Sequence, residues 1–574
     1  MNQPVKLQKR VAVMYKLGLI VFAVFTITAC GGGTSPDAAP VTPVTPEPDP
    51  EPELDHSGLE PMLSDVIANS EYLPGGDTTV FVTNENAFSR KPAAIITDFR
   101  LDGHFTQGDH LFRTPDDGIG PLLSIGSCQG CHINDGRGEI PSSPQSPMST
   151  MVIKLADENG NPDPMYGKQI QPFSIQGFLG GNQLSDGFSK HDGSVSGTGL
   201  HGEAFPFLEF EIINGSYPDG NSYQLRKPIL KIRDLSYGNF VEDVRFSARL
   251  APQAFGAGLL DAIPAENLLA LVDENDSNND GISGRASMVS DIFSADPSQK
   301  MIGRFTYKAQ SPSLLHQVAS AYNGDMGVST SAFPNEHCTE LQVACNLAAE
   351  QEEKTGEAVD LTDISLAFVE FYNRVLGVPA RRGFDENSNT WDEEVSAGRA
   401  LFFSANCVGC HTPRHVTHDA KGSVLGEISF NGLIANTQEQ QADSIEVLSN
   451  QTIYPYTDLL LHDMGGSCEV TRETNSGQAC SAGAECFYVQ RCQGLADGLI
   501  QGDASGTEWK TPALWGLGLV QTVNEDASFL HDGRARTIEE AVLWHGGEAE
   551  NAKQAFMNFS QVERQQLLSF LKSL

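Results

Sequence analysis

Two pentapeptides of the pattern Cys-x-x-Cys-His hold the residues of this 574-residue sequence that could do chemistry. In this spacing the two thiols can form thioether bonds to the vinyl groups of haem, and the adjacent imidazole can bind the iron. The side chains concerned are Cys128, Cys131 and His132 in the first pentapeptide, and Cys407, Cys410 and His411 in the second. The sequence therefore predicts two covalently bound haem c groups.

Zinc binding and thiol–disulfide exchange are the alternatives for a Cys-x-x-Cys pair. A zinc site would need a second nearby Cys-x-x-Cys or a His-x-x-x-His pair, and a dithiol oxidoreductase has no use for the histidine that follows in both copies. With 11 Cys and 14 His in the chain, two such pentapeptides are not expected by chance. We therefore favour haem.

The elements that must position the haems contain a weak internal repeat. Gly108-x-x-Leu111-Phe112 precedes the first pentapeptide, and Gly398-x-x-Leu401-Phe402 precedes the second. Residues 561–574 place apolar side chains at the spacing of an amphipathic helix. We expect this C-terminal helix to cross the helix around Leu401 and to close the second haem unit.

We predict a mainly α fold with two cytochrome c-like haem domains, long irregular loops and a few short strands. The N-terminal haem domain would cover residues 56–384 with large insertions, and the C-terminal one residues 385–574. Further periodic segments favour helices at 313–322 and 363–376 and strands at 207–213 and 229–232.

The amino terminus is typical of a secretory signal. Basic residues precede an apolar run over residues 17–29, and Cys30 follows. Residues 27–30 resemble the lipobox of bacterial lipoproteins, and the glycine after Cys30 implies sorting to the outer membrane. An uncleaved anchor is the alternative, but the apolar run is short for a membrane span. We predict a signal peptide over 1–29 and a lipid anchor on the periplasmic side of the outer membrane.

Residues 30–55 comprise the lipidated cysteine and a segment rich in Pro and acidic residues, which should form an extended tether. The formal net charge of −37 argues against nucleic acid as a partner. Instead, we expect a small electron-donor protein or a quinol-linked cytochrome as the partner. An alternative reading is that the acidity only keeps an exported protein soluble.

Six cysteines remain after Cys30 and the haem cysteines are set aside, and an even number in an exported protein indicates three disulfides. Cys338 and Cys345 form a predicted local pair. The other four can pair in three ways, which the sequence leaves open: Cys468, Cys480, Cys486 and Cys492.

The chain resembles the di-haem oxidoreductase family of peroxidase type, itself similar to the bacterial di-haem cytochrome c peroxidases. The resemblance runs from about residue 95 to the C-terminus. Its motifs are Asp-Gly-Ile-Ser-Gly-Arg at 280–285, Asp-Leu-Leu-Leu-His-Asp-Met-Gly at 458–465, Glu-Trp-Lys-Thr-Pro-Ala-Leu-Trp-Gly-Leu-Gly at 508–518, Phe-Leu-His-Asp-Gly-Arg-Ala at 529–535 and Trp-His-Gly-Gly-Glu-Ala at 544–549.

The resemblance implies a ligand for the second iron. In the related peroxidases the coordinating methionine follows a His-Asp-Gly turn by fourteen residues, and here His545 stands fourteen residues after His531. We therefore predict ligation by His411 and His545, which should lower that haem's potential relative to His/Met ligation. Met464 is the competing ligand, and His462 or His531 are further alternatives.

At the first haem, peroxide chemistry needs a displaceable distal position and an acid/base group beside it. Glu203 falls where the relatives carry a distal glutamate, and His201 is next to it. Both could instead be surface loop residues in a Gly-rich stretch. Met148 and Met151 are alternative distal ligands. The relatives' tryptophan between the haems has no N-terminal counterpart, because the four Trp all lie at or beyond residue 391.

A calcium ion is also predicted. Asp276, Asn278 and Asp280 occupy the first, third and fifth positions of a calcium loop, with glycine at the sixth. Ser287 stands at position twelve, where a glutamate is expected, so Asp273 or Asp291 would have to substitute. A simple turn rich in Asp and Asn is the alternative.

The function implied by these features is that of an exported di-haem oxidoreductase. Electrons would pass from the C-terminal haem to a catalytic N-terminal haem, which reduces hydrogen peroxide or oxidises an unknown substrate. The alternative is a non-enzymatic di-haem electron carrier at the outer membrane.

Overall fold

The structure is a computed structural model in which the part of the chain after the tether is described. The described residues are 65–115, 119–144, 146–175, 202–294, 296, 298–351, 359–418, 446–474, 476–481 and 484–574. The predicted signal peptide (1–29), the tether (30–55) and His201 lie outside the described residues.

Helices occur along the whole described chain. Their bounds are α1 Ala93–Thr97, α2 Phe99–Arg113, α3 Cys128–Cys131, α4 Ala257–Asp261, α5 Ala265–Leu269, α6 Leu314–Met326, α7 Val343–Gln351, α8 Asp363–Arg374, α9 Glu393–Ser404, α10 Val520–Val523, α11 Ile538–Trp544, α12 Glu550–Asn558 and α13 Gln561–Ser573. The predicted helices correspond to α6, α8 and α13. Each begins at a hydroxyl that accepts a hydrogen bond from the first turn, on Ser313, Thr362 and Ser560.

Strands are more numerous than the sequence indicated, and most are two or three residues long. Their bounds are β1 Thr79–Val80, β2 Leu122–Leu123, β3 Met151–Ala156, β4 Gln169–Ile170, β5 Phe173–Ser174, β6 Phe205–Ser216, β7 Ser222–Arg233, β8 Arg245–Leu250, β9 Met288–Ser290, β10 Lys300–Ile302, β11 Val378–Pro379, β12 Phe384–Asp385, β13 Thr390–Trp391, β14 His415–Val416, β15 Thr452–Ile453, β16 Leu461–Asp463, β17 Gly466–Glu473, β18 Phe487–Gly494 and β19 Glu508–Lys510.

The largest sheet has four antiparallel strands in the order β17-β18-β7-β6. β6 and β7 form a hairpin around Pro218-Asp219-Gly220, and β18 pairs with β7 so that Tyr488 lies opposite Ile232. The prediction of mainly α, cytochrome c-like domains was wrong, because the structure is 31% helical and 21% strand. The two expected short strands are parts of strands of 12 residues each. Their pairing joins distant parts of the sequence, which no local pattern reveals.

Two helix pairs cross at the glycines of the internal repeat. α2 crosses α8 at Gly108, where an added Cβ would lie 2.1 Å from the carbonyl oxygen of Phe368. α9 crosses α13 at Gly398, where the same atom would lie 2.0 Å from the carbonyl oxygen of Gln566. The predicted contact of the C-terminal helix with the helix around Leu401 is confirmed, and the first repeat has the same arrangement.

Three disulfides connect the six remaining cysteines of the described chain. The predicted pair Cys338–Cys345 is confirmed, and the other bonds are Cys468–Cys492 and Cys480–Cys486. Cys468 and Cys492 lie directly opposite each other on β17 and β18, so this bond crosses the sheet between paired strands.

Residues Asp55–Leu574 form one compact unit. Its main hydrophobic cluster includes side chains from both predicted haem domains, among them Phe88 and Trp515. The domain division between residues 384 and 385 stays a prediction. Among the described helices, none combines the length and apolarity that crossing a bilayer requires.

Candidate haem sites

The first Cys-x-x-Cys-His segment forms the short helix α3. The Ser127 hydroxyl caps this helix by accepting a hydrogen bond from the amide of Gly130. The Cys131 thiol donates to the carbonyl of Ser149 at 3.4 Å, and burial raises the pKa of this thiol well above its ordinary value. Both cysteines of the segment remain outside disulfides.

His132 is oriented by a contact from a distant part of the chain. Its Nδ1 donates to the carbonyl oxygen of Pro252 at 2.6 Å, and burial lowers the pKa of the imidazole. The ring is therefore neutral, and Nε2 carries the lone pair that can bind a metal. The ring of Phe112, from the internal repeat, lies 6.0 Å from it.

His411 has the same arrangement in the second segment. Its Nδ1 donates to the carbonyl of Tyr456 at 3.0 Å, and burial lowers its pKa to about 4. Phe402, the counterpart of Phe112, lies 6.3 Å from the imidazole. Burial also raises the pKa of the Cys407 thiol to about 12. Each segment thus presents a neutral imidazole with Nε2 available, and burial raises the pKa values of the thiols of Cys131, Cys407 and Cys410.

The two predicted distal ligands of the second iron lie in one region. His545 follows α11, donates from Nδ1 to the carbonyl of Ala541 at 2.8 Å, and is close enough to His411 to lower that residue's pKa. Met464 is partly buried, and its carbonyl oxygen would lie 3.1 Å from a Cβ added to Gly546. The preference for His545 over Met464 stays a prediction.

The two other histidines considered have different surroundings. Nε2 of His462 contacts Asp458 at 2.8 Å and its Nδ1 contacts Glu548 at 2.8 Å. Burial alone would lower the pKa of His462, but the two carboxylates outweigh it and raise the pKa well above its ordinary value. As an imidazolium it has no lone pair for iron. His531 stacks on Trp509 with ring centres 3.8 Å apart.

Glu203 is buried and held by two hydrogen bonds. Its Oε2 accepts from the amide of Gln171 at 2.5 Å, and its Oε1 accepts from the side chain of Gln342. Burial raises the pKa of Glu203 to about 8, although both donors favour the carboxylate. With 1% of its surface exposed, Glu203 is not a surface loop residue.

A chain of buried polar side chains connects Glu203 to the first haem segment. The Gln171 side chain accepts from the Ser124 hydroxyl at 2.9 Å, and Ser124 precedes Cys128 by four residues. Ser124 in turn accepts from Gln169 at 3.2 Å, which also donates to Asp325 at 3.0 Å. The charge of Asp325 adds to burial in raising the pKa of Cys131, and it offsets part of the lowering that burial causes in the pKa of His132. These glutamines and Asp325 were missed from the sequence, because single amide side chains carry no motif.

The other residues considered for the first site are Met148, Met151 and His201, and their roles stay predictions. Met148 and Met151 are buried in a hydrophobic cluster with side chains of the β3 and β8 sheet. His201 is outside the described residues. A cavity of about 890 Å³ lies beside the site, and its lining includes Ser149, whose carbonyl contacts Cys131, together with Phe210 and Arg226.

Trp515 packs on a backbone segment close in sequence to Pro252, the residue that holds His132. A Cβ added to Gly256 would lie 2.5 Å from the indole, so the ring packs directly on this backbone, four residues after Pro252. The amide of Leu514 donates to Pro455 at 2.8 Å, next to the carbonyl that holds His411. An aromatic side chain from the C-terminal half thus contacts the N-terminal half near the first site.

The predicted calcium loop contacts the second haem segment. Asp276 and Asn278 accept hydrogen bonds from the amide of Asp280, and Asp280 accepts from the side chain of Asn406 at 3.3 Å. Asn406 directly precedes Cys407. Within the described ranges, no group of three or more His, Cys, Asp or Glu side chains could hold a metal ion. Calcium binding by this loop stays a prediction. The contact that the structure does show is the hydrogen bond from Asn406 to Asp280.

The residues present fit haem c. Six described cysteines pair in disulfides, whereas the four cysteines of the pentapeptides do not. Each adjacent histidine is fixed through Nδ1 with Nε2 left for iron, which is the arrangement of a metal-ligating histidine. These features define a di-haem protein.

The family model described as "Di-haem oxidoreductase, putative peroxidase" matches residues 70–481 and 474–574. The chain belongs to this family, as the sequence motifs implied.

Other comparisons add little. No curated protein matches the chain. Among solved structures, a chain of the hydrazine synthase of Kuenenia stuttgartiensis, pressurised with 20 bar xenon, is similar over 38% of this chain and 57% of that chain. The identity is 15% and the TM-score 0.20. The match thus spans little more than half of that chain's length.

Proposed function

We propose that this protein is a di-haem oxidoreductase of peroxidase type whose first haem site reduces hydrogen peroxide or oxidises another substrate. Cys128 and Cys131 would attach the first haem and Cys407 and Cys410 the second, with His132 and His411 as proximal ligands. Each bound haem supplies an iron that can exchange electrons and take an oxygen ligand.

The observation that carries the proposal is the environment of Glu203. Because burial raises its pKa to about 8, the carboxyl holds its proton at neutral pH and can release it to a leaving oxygen. A general acid in peroxide cleavage must do this. Its hydrogen-bonded connection through Gln171 to Ser124, four residues before Cys128, supports the assignment of this group to the first haem site.

Electron transfer from the second site to the first is supported by the position of Trp515. Three other tryptophans each have a cation over the ring, which makes removal of an electron harder: Arg381 over Trp391, Lys308 over Trp509 and Arg534 over Trp544. Trp515 packs against Gly256, and the amide of its neighbour Leu514 donates to Pro455, next to the carbonyl that holds His411, which favours Trp515 as the aromatic contact between the two sites.

At the second iron we propose His411 and His545 as ligands. Both rings are held through Nδ1 by a backbone carbonyl, so their Nε2 atoms are the available donors. The spectrum of a Met464→Leu variant tests this assignment. Loss of a sulfur-to-iron charge-transfer band in that variant would assign the position to Met464.

Replacement of Glu203 tests the proposed function. In the haem-loaded protein, Glu203→Gln should slow the reaction with hydrogen peroxide by about a hundredfold or more, because the general acid is lost. Stopped-flow mixing of the reduced protein with peroxide measures the rate. Glu211→Gln, an exposed carboxyl on β6, the strand that begins two residues after Glu203, is the matched control and should react like the wild type.

Two results would contradict the proposal. A wild-type protein that reacts no faster than free haem, with both irons unresponsive to cyanide or carbon monoxide, would be an electron carrier. A Glu203→Gln variant at full rate would remove the role of Glu203.

The pH dependence of folding stability gives a second measurement of the raised pKa of Glu203. The folded carboxyl titrates near pH 8 and an unfolded glutamate near 4.5, so the native state binds the extra proton between these values. Stability should therefore fall as pH rises through this window, and Glu203→Gln should remove that part of the pH dependence.

We also propose that the protein is exported and lipid-anchored through Cys30 at the periplasmic face of the outer membrane. The three disulfides support an oxidising compartment. A small electron-donor protein or a quinol-linked cytochrome is the proposed partner. Mass determination of the mature amino terminus tests the anchor, and an unmodified chain that retains residues 1–29 would contradict it.

A further inference from the structure

Gln342 connects a disulfide loop to the Glu203 carboxyl. Cys338 and Cys345 are bonded across seven positions, and Gln342 lies inside the loop that they close. Its side-chain amide donates to Oε1 of Glu203, the oxygen that the backbone of Gln171 does not hold. Gln342 is completely buried.

The loop fixes the orientation of this amide. The side-chain oxygen of Gln342 accepts from the amide of Thr339 at 2.9 Å, which leaves its nitrogen to face Glu203. The backbone carbonyl of Gln342 accepts from the amide of Asn346 at 3.0 Å, and the Thr339 hydroxyl donates to Met165 at 3.1 Å. A flipped or displaced amide would break these contacts.

The disulfide packs on β2, the strand that precedes the first haem segment. Cys345 is completely buried in a small cluster with Leu122 of β2 and Ala348. β2 pairs with β5, and the chain between these strands contains the first Cys-x-x-Cys-His segment. The Cys338–Cys345 bond therefore ties the loop that holds Gln342 to the strand that leads to Cys128.

We propose that Gln342, held by the Cys338–Cys345 loop, is a positioning residue that fixes the Glu203 carboxyl and sets the pH at which it releases its proton. The inference rests on the proposed role of Glu203 in proton transfer. A donor to the carboxylate favours the charged form, so the Gln342 amide counteracts burial and the charge of Asp163, which both raise the pKa of Glu203. Tyr166 and Tyr237 are further titratable groups that interact with Glu203. Without the Gln342 amide, Glu203 should keep its proton to higher pH.

The test is infrared titration of the protonated Glu203 carboxyl in the haem-loaded protein, with Glu203→Gln as the blank that identifies the band. Gln342→Met keeps the side-chain volume but removes the donor, and should raise the titration midpoint by about one pH unit or more. The pH above which the rate of the peroxide reaction declines should also rise. Glu340→Gln, an exposed change in the same loop, is the control and should leave both unchanged.

A second variant tests the role of the disulfide. Cys338→Ser with Cys345→Ser keeps Gln342 but releases the loop, and should also raise the midpoint. This double variant replaces Gln342→Met as the test if Gln342→Met fails to load haem. An unchanged midpoint in the variant that loads haem would overturn the inference, even if Glu203→Gln still slowed the reaction. If instead Glu203→Gln reacted with peroxide at full rate, the proposed function would fail. The shift of the infrared midpoint in Gln342→Met could still be measured, so the two failures are distinguishable.

Discussion

His132 and His411, the predicted proximal ligands, owe their orientation to single backbone carbonyls. For His411 this carbonyl belongs to Tyr456, whose backbone is in the left-handed region with φ of 56°. The Tyr456 hydroxyl donates to Glu71 at 2.5 Å, and Arg381 and Arg399 pair with the same carboxylate at 2.6 and 3.0 Å. All four side chains are buried. The proximal histidine of the second site is thus oriented through a buried charge cluster.

Removing the charge of Glu71 should therefore affect both stability and the second site. Glu71→Gln leaves two buried guanidinium groups without a counter-charge, which should cost about 3–5 kcal/mol. Urea unfolding measures the loss, and the spectrum of the second haem reports any change at His411. Glu386→Gln, an exposed carboxyl that accepts from Tyr72, should change stability by less than about 0.5 kcal/mol. Equal losses in the two variants would contradict the role of the cluster.

For single residues, the sequence predicts which histidines bind iron but does not predict the backbone carbonyls that orient their rings. Cys-x-x-Cys-His is a local pattern, so His132 and His411 could be found from it. Pro252 is 120 residues from His132, and Gln342 is 139 residues from Glu203. Such partners are set by tertiary packing, which single residue types do not reveal. The family resemblance predicted Glu203, whereas its burial and its two donors needed the structure.

The helix crossings show why the internal repeat contains glycine. At Gly108 and Gly398 the partner helix approaches so closely that a side chain would collide with a carbonyl oxygen. The following apolar residue of each repeat, Phe112 or Phe402, then reaches the proximal histidine and packs on the crossing helix, against Tyr372 or Phe570. The close crossing thus brings α2 and α8 to the first Cys-x-x-Cys-His segment, and α9 and α13 to the second.

A methyl group at the crossing should separate the helices. Gly398→Ala should destabilise the protein by about 1–3 kcal/mol, because the added carbon meets backbone that cannot move independently. Gly103→Ala in α2 is the matched control, since nothing lies within 4 Å of its added carbon. Alanine should stabilise that position by about 0.5–1 kcal/mol. Thermal unfolding of both variants checks the prediction, and destabilisation by both would argue against a specific contact at Gly398.

The helices could be predicted from the sequence better than the strands. α6, α8 and α13 have polar N-caps and apolar periodicity, which are local signals. The hairpin of β6 and β7 also has a local signal, the turn at Pro218-Asp219-Gly220, which predicts a longer hairpin than we expected. The pairing of β7 with β18 has none. Because the two strands lie 254 positions apart in the sequence, from Arg233 to Phe487, a mainly α fold was inferred in error.

Across the whole molecule, several connections cross the predicted domain division at residue 384. β7 pairs with β18 over Ile229 to Ile232. The side chain of Gln490 on β18 makes hydrogen bonds of 2.9 and 2.7 Å with the amide and the carbonyl of Phe246 on β8. Buried Lys308 pairs with Asp497 at 2.9 Å. If the two predicted domains were independently stable, each would have to remain folded without these contacts.

We therefore expect the haem-loaded chain to unfold in one cooperative transition. Separating residues 56–384 from 385–574 would break the pairing of β7 with β18 and the Lys308–Asp497 ion pair, and it would expose to water the apolar side chains of the hydrophobic cluster that both halves share. Calorimetry of the whole chain should give equal van't Hoff and calorimetric enthalpies. The two halves, produced separately as controls, should show no cooperative transition until they are mixed. Two resolved transitions in the whole chain, each reproduced by one half alone, would establish independent domains instead.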